Sequence, residues 1–267
     1  MNAPLHPQIA AGGAPFTRPM ASGAGAKGAA TRTITYGELA DLAFAKAVPC
    51  VPKEDARWLI PSTLTGADAR THSAQRDRGE FVALVLDIDK GGHSLAVAEA
   101  VLTAALGDGV TALVHSTKSA TAGDPRWRAV VPLAAPLPGA DYVDTLEALC
   151  ERVEEVSGGT VAPDRSMCRT GQIAFLPNRP DAPADGSAPF YKAREIGPDT
   201  RAALVLDDDH PIIRIREQRR EERAAAEAAA AFGRERRRGV REKNGTASLI
   251  DRFNRRHSLP ELLHSYG

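Results

Sequence analysis

Cysteine is scarce in this chain. Only Cys50, Cys150 and Cys168 occur among 267 residues. They are odd in number, widely spaced and form no Cys-x-x-Cys pair, which argues against a disulfide framework or a zinc site. They read as reduced thiols of a cytoplasmic protein. Net charge is lacking too. The 34 Lys and Arg balance the 34 Asp and Glu, so any affinity for nucleic acid has to come from local patches. No apolar run is long enough to span a bilayer. The N-terminus has no apolar stretch of the kind that makes a secretory signal, so no membrane partner is expected. A Ser/His/Asp or Cys/His constellation is also missing, and no protein nucleophile is expected. The remaining composition, 43% hydrophobic and 25% charged, suits a globular chain of one sizeable domain with appendages, or two small ones.

The most informative stretch is 81–89, FVALVLDID. Six apolar residues run into Asp87, Ile88 and Asp89 and stop at Gly91-Gly92. A short apolar run ending at a Gly pair reads as a buried strand. Side chains alternate along a strand, so Asp87 and Asp89 share a face. Two adjacent carboxylates repel unless a cation lies between them, and Mg²⁺ or Mn²⁺ takes such oxygen ligands. Asp89 could equally serve the turn before the next helix.

Residues 1–32 are rich in Ala, Gly and Pro, carry Arg18, Lys27 and Arg32, and contain no acid. This composition reads as a disordered, weakly basic tail. Thr35 and Glu38 have capping-box spacing and open a short helix. Residues 62–79 are polar, basic and without period, and read as a loop that could guide phosphates or simply be solvated. After the Asp-Ile-Asp strand, 94–106 reads as a helix and 110–115 as a strand, giving a β-α-β unit. The loop 116–125 holds Ser116 and Lys118, and the following strand holds Arg126 and Arg128 on one face. A hairpin here would bring Lys118 near Arg128, and two cations facing a carboxylate site suit a triphosphate. Charged edges that deter strand pairing are the other reading. Residues 142–156 form an amphipathic helix. Asp164 lies in a loop, followed by an expected strand over 172–179.

From 207 onward the character changes. Residues 211–241 hold ten arginines and five glutamates around an Ala-rich centre. This is a strong helix former with a thin apolar face. Its arginines could track a nucleic-acid backbone, or merely be solvated. A further small helical piece is expected after Asn244. The chain stops at Tyr266-Gly267, which reads as the end of a fragment.

Together these features resemble the archaeo-eukaryotic primase, or primase-polymerase, superfamily in its plasmid and phage replication branch. FVALVLDID is similar to that family's first motif. HSTKSATAGDPRWRAVVPL resembles the second and the Arg-bearing strand behind it. APDRSMCRTGQIAFLPNRP resembles the third, with Asp164 as its lone carboxylate. The resemblance covers roughly residues 33–195. One departure stands out: where the second motif carries His, Ser116-Thr117-Lys118 places Lys, and the alternative alignment places Thr121.

The resemblance implies an α+β fold, an RRM-like antiparallel sheet with packed helices, with a catalytic domain over 33–206 and a basic helical region over 207–267. It implies a DNA primase that joins nucleotides from NTP or dNTP on a single-stranded DNA template. Asp87, Asp89 and Asp164 would be the catalytic and metal-binding carboxylates for Mg²⁺ or Mn²⁺. Ser116, Lys118, Arg126 and Arg128 would bind the triphosphate, and a helicase domain or protein is a further expected partner. A non-catalytic DNA-binding replication initiator and a metal-dependent nuclease are the alternatives.

Overall fold

The computed structural model describes residues 14–25, 28–46, 48–182 and 188–243, with backbone alone for 14, 233 and 235–243. The chain divides into two units, Met1–Arg216 and Glu217–Gly267. The elements are α1 (Ala14–Thr17), β1 (Met20–Ala24), β2 (Arg32–Ile34), α2 (Tyr36–Phe44), β3 (Arg57–Ile60), α3 (His72–Arg78), β4 (Glu80–Ile88), α4 (Leu95–Leu106), β5 (Ala112–Ser116), β6 (Trp127–Pro138), α5 (Gly139–Val156), β7 (Ala174–Phe175), β8 (Ala193–Ile196) and α6 (Pro211–Lys243). The fold is α+β, with two four-stranded antiparallel sheets in the order β2-β1-β3-β7 and β4-β6-β5-β8.

The second sheet grows from the apolar run. Every residue of β4 after Glu80 is buried, because both faces of the strand are covered, and such a strand reads as continuous apolar sequence. Phe81 stacks on Tyr142 of α5, with ring centroids 3.7 Å apart. Ser94 caps α4 by accepting from the Val97 N–H, and Ala98, Leu102, Ala105 and Leu106 are its buried positions. Strands β4 and β5 lie on either side of β6, so the β4-α4-β5 crossover skips one strand. The hairpin expected between β5 and β6 is present, with His115 opposite Arg128.

The first sheet overturns the tail reading for the part of 1–32 that is described, from Ala14 on, while residues 1–13 lie outside the described residues. Met20–Ala24 is a central strand, antiparallel to both β2 and β3. Its small residues make room for Trp58: a Cβ on Gly23 would collide with the indole ring, and the indole N–H donates to the Gly25 carbonyl at 2.9 Å. The capping box at Thr35 and Glu38 is present as expected.

Three further differences have plain causes. Residues 62–79 contain a 3-10 turn, Ala67–Arg70, and helix α3. No apolar period announced them because the anchors are polar: Gln75 is buried and donates to the Ala69 carbonyl at 2.6 Å, and Thr170 donates to the His72 carbonyl at 2.7 Å. The helix expected over 142–156 starts earlier, because β6 runs to Pro138 and α5 begins at Gly139. The strand expected over 172–179 shrinks to β7, which joins the first sheet beside β3.

In α6, Ile212 and Ile213 are buried, and residues 221–232 are exposed. The second unit begins within this helix, and in it Gln218 bonds Glu222 at 2.9 Å and Arg220 pairs with Glu217 at 3.4 Å. The helical piece expected after Asn244 lies outside the described residues. No helix among the described residues is long and apolar enough to cross a membrane.

Candidate functional site

A cavity of about 490 Å³ opens in the first unit, between the ends of β4, β5 and β6 on one side and the segment before β3 together with β7 on the other. It gathers Asp87, Asp89 and Asp164, residues up to 77 positions apart in sequence. Asp87 lies in the last turn of the β4 ladder, and Asp89 follows the strand directly. The Asp164 backbone N–H donates to the Asp87 carbonyl at 2.8 Å, which brings the third carboxylate to the first. Asp164 also caps a 3-10 turn, Arg165–Met167, accepting from the Ser166 N–H at 2.9 Å and the Ser166 hydroxyl at 2.6 Å.

Asp87 does not stand alone against Asp89. Arg128 faces it in register across β4 and β6. The Arg128 Nε donates to Oδ1 at 2.7 Å and Nη2 donates to Oδ2 at 2.5 Å. Nη1 donates to the Phe175 carbonyl at 2.7 Å. One buried guanidinium thus ties the second sheet to β7 of the first. Burial opposes its charge, but Asp87 outweighs burial and the Arg128 pKa rises.

The other two carboxylates differ in environment. Burial, with Asp87 beside it, pushes Asp89 above the usual carboxylate range, against the pull of Arg128 and Arg126. Its Oδ1 is buried without a hydrogen-bond partner. Burial works against the Asp164 charge as well, but the two Ser166 hydrogen bonds, with Lys90 and Arg169 nearby, hold its pKa below the usual range.

The expected phosphate-binding residues divide. Ser116 and Lys118 line the cavity with Arg128, whereas Arg126 is not among its lining residues. Arg126 instead pairs with Asp124 at 2.8 Å. The Ser116 hydroxyl accepts from the Lys192 N–H at 3.1 Å, so it serves the β5 edge. The Lys118 ammonium donates to the Val51 carbonyl at 2.7 Å and lies 3.6 Å from Asp181. It is tied to the cavity wall that Asn178 also holds, through hydrogen bonds to both Val51 backbone groups.

Two lining residues escaped sequence reasoning. Lys53 reaches the cavity from the segment before β3, its ammonium over the Phe175 ring at 5.5 Å. His115 lies in register with Arg128 on the far side from Asp87, which makes a row Asp87–Arg128–His115 across three strands. Its ring bonds the Ser116 carbonyl at 3.0 Å through Nδ1, so Nδ1 carries the proton and Nε2 holds a lone pair, buried and unpartnered. Burial, with Arg128 next to it, pushes its pKa down to about 4. Strand alternation from Leu113 could have placed His115 on the Arg128 face; the partner register could not be read.

The donor set suits Mg²⁺ or Mn²⁺ in part. Asp89, with an orphaned buried oxygen, and Asp164 fit a hard cation that completes its shell with water and phosphate oxygens. Asp87 is the poorest fit of the three, because Arg128 already takes a lone pair from each of its oxygens and the side chain is buried. Among the described residues, no group of three or more His, Cys, Asp or Glu side chains could hold an ion.

No family model, curated protein or solved structure matches the chain.

Proposed function

We propose that the first unit is a nucleotidyl-transfer domain of the primase-polymerase kind, from a plasmid or phage replication protein, joining a 3′-hydroxyl to the α-phosphate of an incoming NTP or dNTP on a single-stranded DNA template, with pyrophosphate as the leaving group. The observation that carries this reading is the convergence of Asp87, Asp89 and Asp164 with Arg128, Lys118 and Lys53 on one cavity. Carboxylates beside fixed cations suit a phosphate ester that meets a divalent ion. The order β4-β6-β5, with a helix after β4 and another after β6, also favours the RRM-like reading of this sheet. The fourth strand, β8, lies on the β5 edge.

In this reading Arg128 and the lysines bind and orient the triphosphate. Bound Mg²⁺ or Mn²⁺, held by Asp89 and Asp164, would supply charge neutralisation and an activated attacking oxygen. The cavity wall formed by Phe175 of β7 and by Leu176 limits water around the reacting phosphate. The exposed arginines of α6 would contact the template backbone.

A second reading, a non-catalytic initiator that binds origin DNA, is favoured by one observation. Arg128 relieves the charge of Asp87, so retaining Asp87 does not require a metal. The deciding experiment is primer synthesis on single-stranded DNA with labelled nucleotides and Mg²⁺ or Mn²⁺. Metal-dependent products that vanish in Asp89→Ala and Asp164→Ala are expected. DNA binding without products in any protein would overturn the polymerase reading and leave the initiator.

A further inference from the structure

The Asp87–Arg128 pair is built as a fixture. The two side chains are only 7% and 9% exposed. Their parallel contacts take both carboxylate oxygens, and a third N–H reaches the Phe175 carbonyl of the other sheet. This is the planar, two-point arrangement that arginine forms best. Swinging Asp87 out of this grip toward a metal ion would strand a buried guanidinium beside a single carbonyl, and an unpaired buried charge is costly. Asp89 makes the opposite case. It faces the same cavity, and its Oδ1 is buried without any partner.

Building on the nucleotidyl-transfer reading, we propose that Asp87 is a positioning residue and not a metal ligand. It locks Arg128 in place as the fixed cation of the phosphate site, while one divalent ion binds through Asp89 and Asp164. The guanidinium then takes the place of a second metal ion. A guanidinium has five N–H groups; three are engaged here, which leaves two on a side chain that lines the cavity. A cation held this way needs no reorganisation when the substrate arrives, which is the condition under which such groups act best on phosphates.

The assignment separates two properties that a three-carboxylate metal site would join. Metal affinity resides in Asp89 and Asp164. Metal-free affinity for the triphosphate resides in Arg128 and depends on Asp87. The test uses the full chain. Mn²⁺ binding without nucleotide is followed by electron paramagnetic resonance of the free ion, and dATP binding in EDTA is followed by calorimetry.

One Mn²⁺ per wild-type chain is expected. Asp89→Asn weakens Mn²⁺ by about tenfold or more, since even outer-shell losses cost that much. Asp87→Asn leaves Mn²⁺ affinity within about twofold, because neither of its oxygens belongs to the ion. The same change weakens dATP in EDTA by about tenfold, the scale of a charge-assisted hydrogen bond that has lost its geometry. Should Asp87→Asn fail to fold, the double variant Asp87→Asn/Arg128→Gln removes both charges together. It is expected to keep the Mn²⁺ affinity and lose dATP binding.

Two Mn²⁺ ions per wild-type chain, no Mn²⁺ binding at all, or loss of Mn²⁺ in an Asp87 variant as deep as in Asp89→Asn would each overturn the proposal. These are binding measurements and stand apart from primer synthesis. The expected pattern without any primer product would retain the single-ion assignment and sink the polymerase reading.

Discussion

Arg128 and Asp87 are register partners across the β4–β6 ladder, and the guanidinium grips both carboxylate oxygens inside the protein. Breaking one half of such a pair leaves the other charge buried. Asp87→Ala is expected to cost about 3–5 kcal/mol in urea unfolding. Replacing both together, as Asp87→Leu/Arg128→Met, recovers most of that loss, because the desolvation penalty disappears with the charges. A double-mutant cycle measures the coupling directly. Coupling near zero would show that the two side chains do not act as a unit.

Asp89 bears a charge that Arg128 relieves only in part. Burial and Asp87 raise its pKa in the folded protein, so folding favours the protonated acid and ionisation at neutral pH works against the fold. The sign follows: its stabilising contribution is present below the usual Asp pKa and lost as pH rises through the raised folded value. Asp89→Asn should therefore stabilise the protein at pH 7, with the gain fading as pH falls into the carboxylate range. Half-burial screens the repulsion, so the gain is about 0.5 kcal/mol, or about 1–2 °C in Tm. Thermal melts at neutral and acid pH, run without metal, check it. An Asp89→Asn variant less stable than wild type at pH 7 contradicts the uncompensated charge.

Local chemistry made several elements legible. The apolar run at β4, the capping box at Thr35 and the period of α4 each satisfy their requirements within a few residues. The convergence of Asp87, Asp89 and Asp164 was legible only through the family resemblance, and Arg128 was anticipated as a phosphate contact without its grip on Asp87. That grip depends on the register of two strands joined through a third, which no local pattern encodes. Helix α3 was illegible for a different reason. Its anchors are hydrogen bonds to residues far along the chain, such as the Thr170 hydroxyl to the His72 carbonyl, and hydrophobic period carries no trace of them.

His115 supplies a pH signature. Its pKa falls to about 4 in the folded protein, from an ordinary value of 6.5, through burial and then Arg128. Above pH 6.5 the imidazole is neutral in both states and its contribution is whole. Between 6.5 and about 4 the unfolded chain takes up a proton that the folded one refuses, so stability declines through that window. The loss is on the order of 3 kcal/mol for a fully buried ring. Urea unfolding of wild type and His115→Leu across pH 7 to 4 checks it. The variant should lack this part of the decline, and parallel curves would place the ring in contact with water.

Gly23 tests whether the N-terminal segment belongs to the fold. A Cβ at this position would meet the ring of Trp58 and lie 2.6 Å from the Ala29 carbonyl. Trp58 is fully buried and its indole N–H is fixed on Gly25, so neither neighbour can yield without disturbing β1 and β3. Overpacking of this kind costs about 1–3 kcal/mol. Gly23→Ala should lower Tm by about 2–10 °C and shift the Trp58 emission as the indole loses its packing. Trp127 also emits, so the comparison is made in a Trp127→Phe background. A solvated tail would tolerate alanine at this site without any change. A Gly23→Ala protein with wild-type Tm and emission would therefore remove residues 20–24 from the first sheet, and with them the wall that Trp58 packs against.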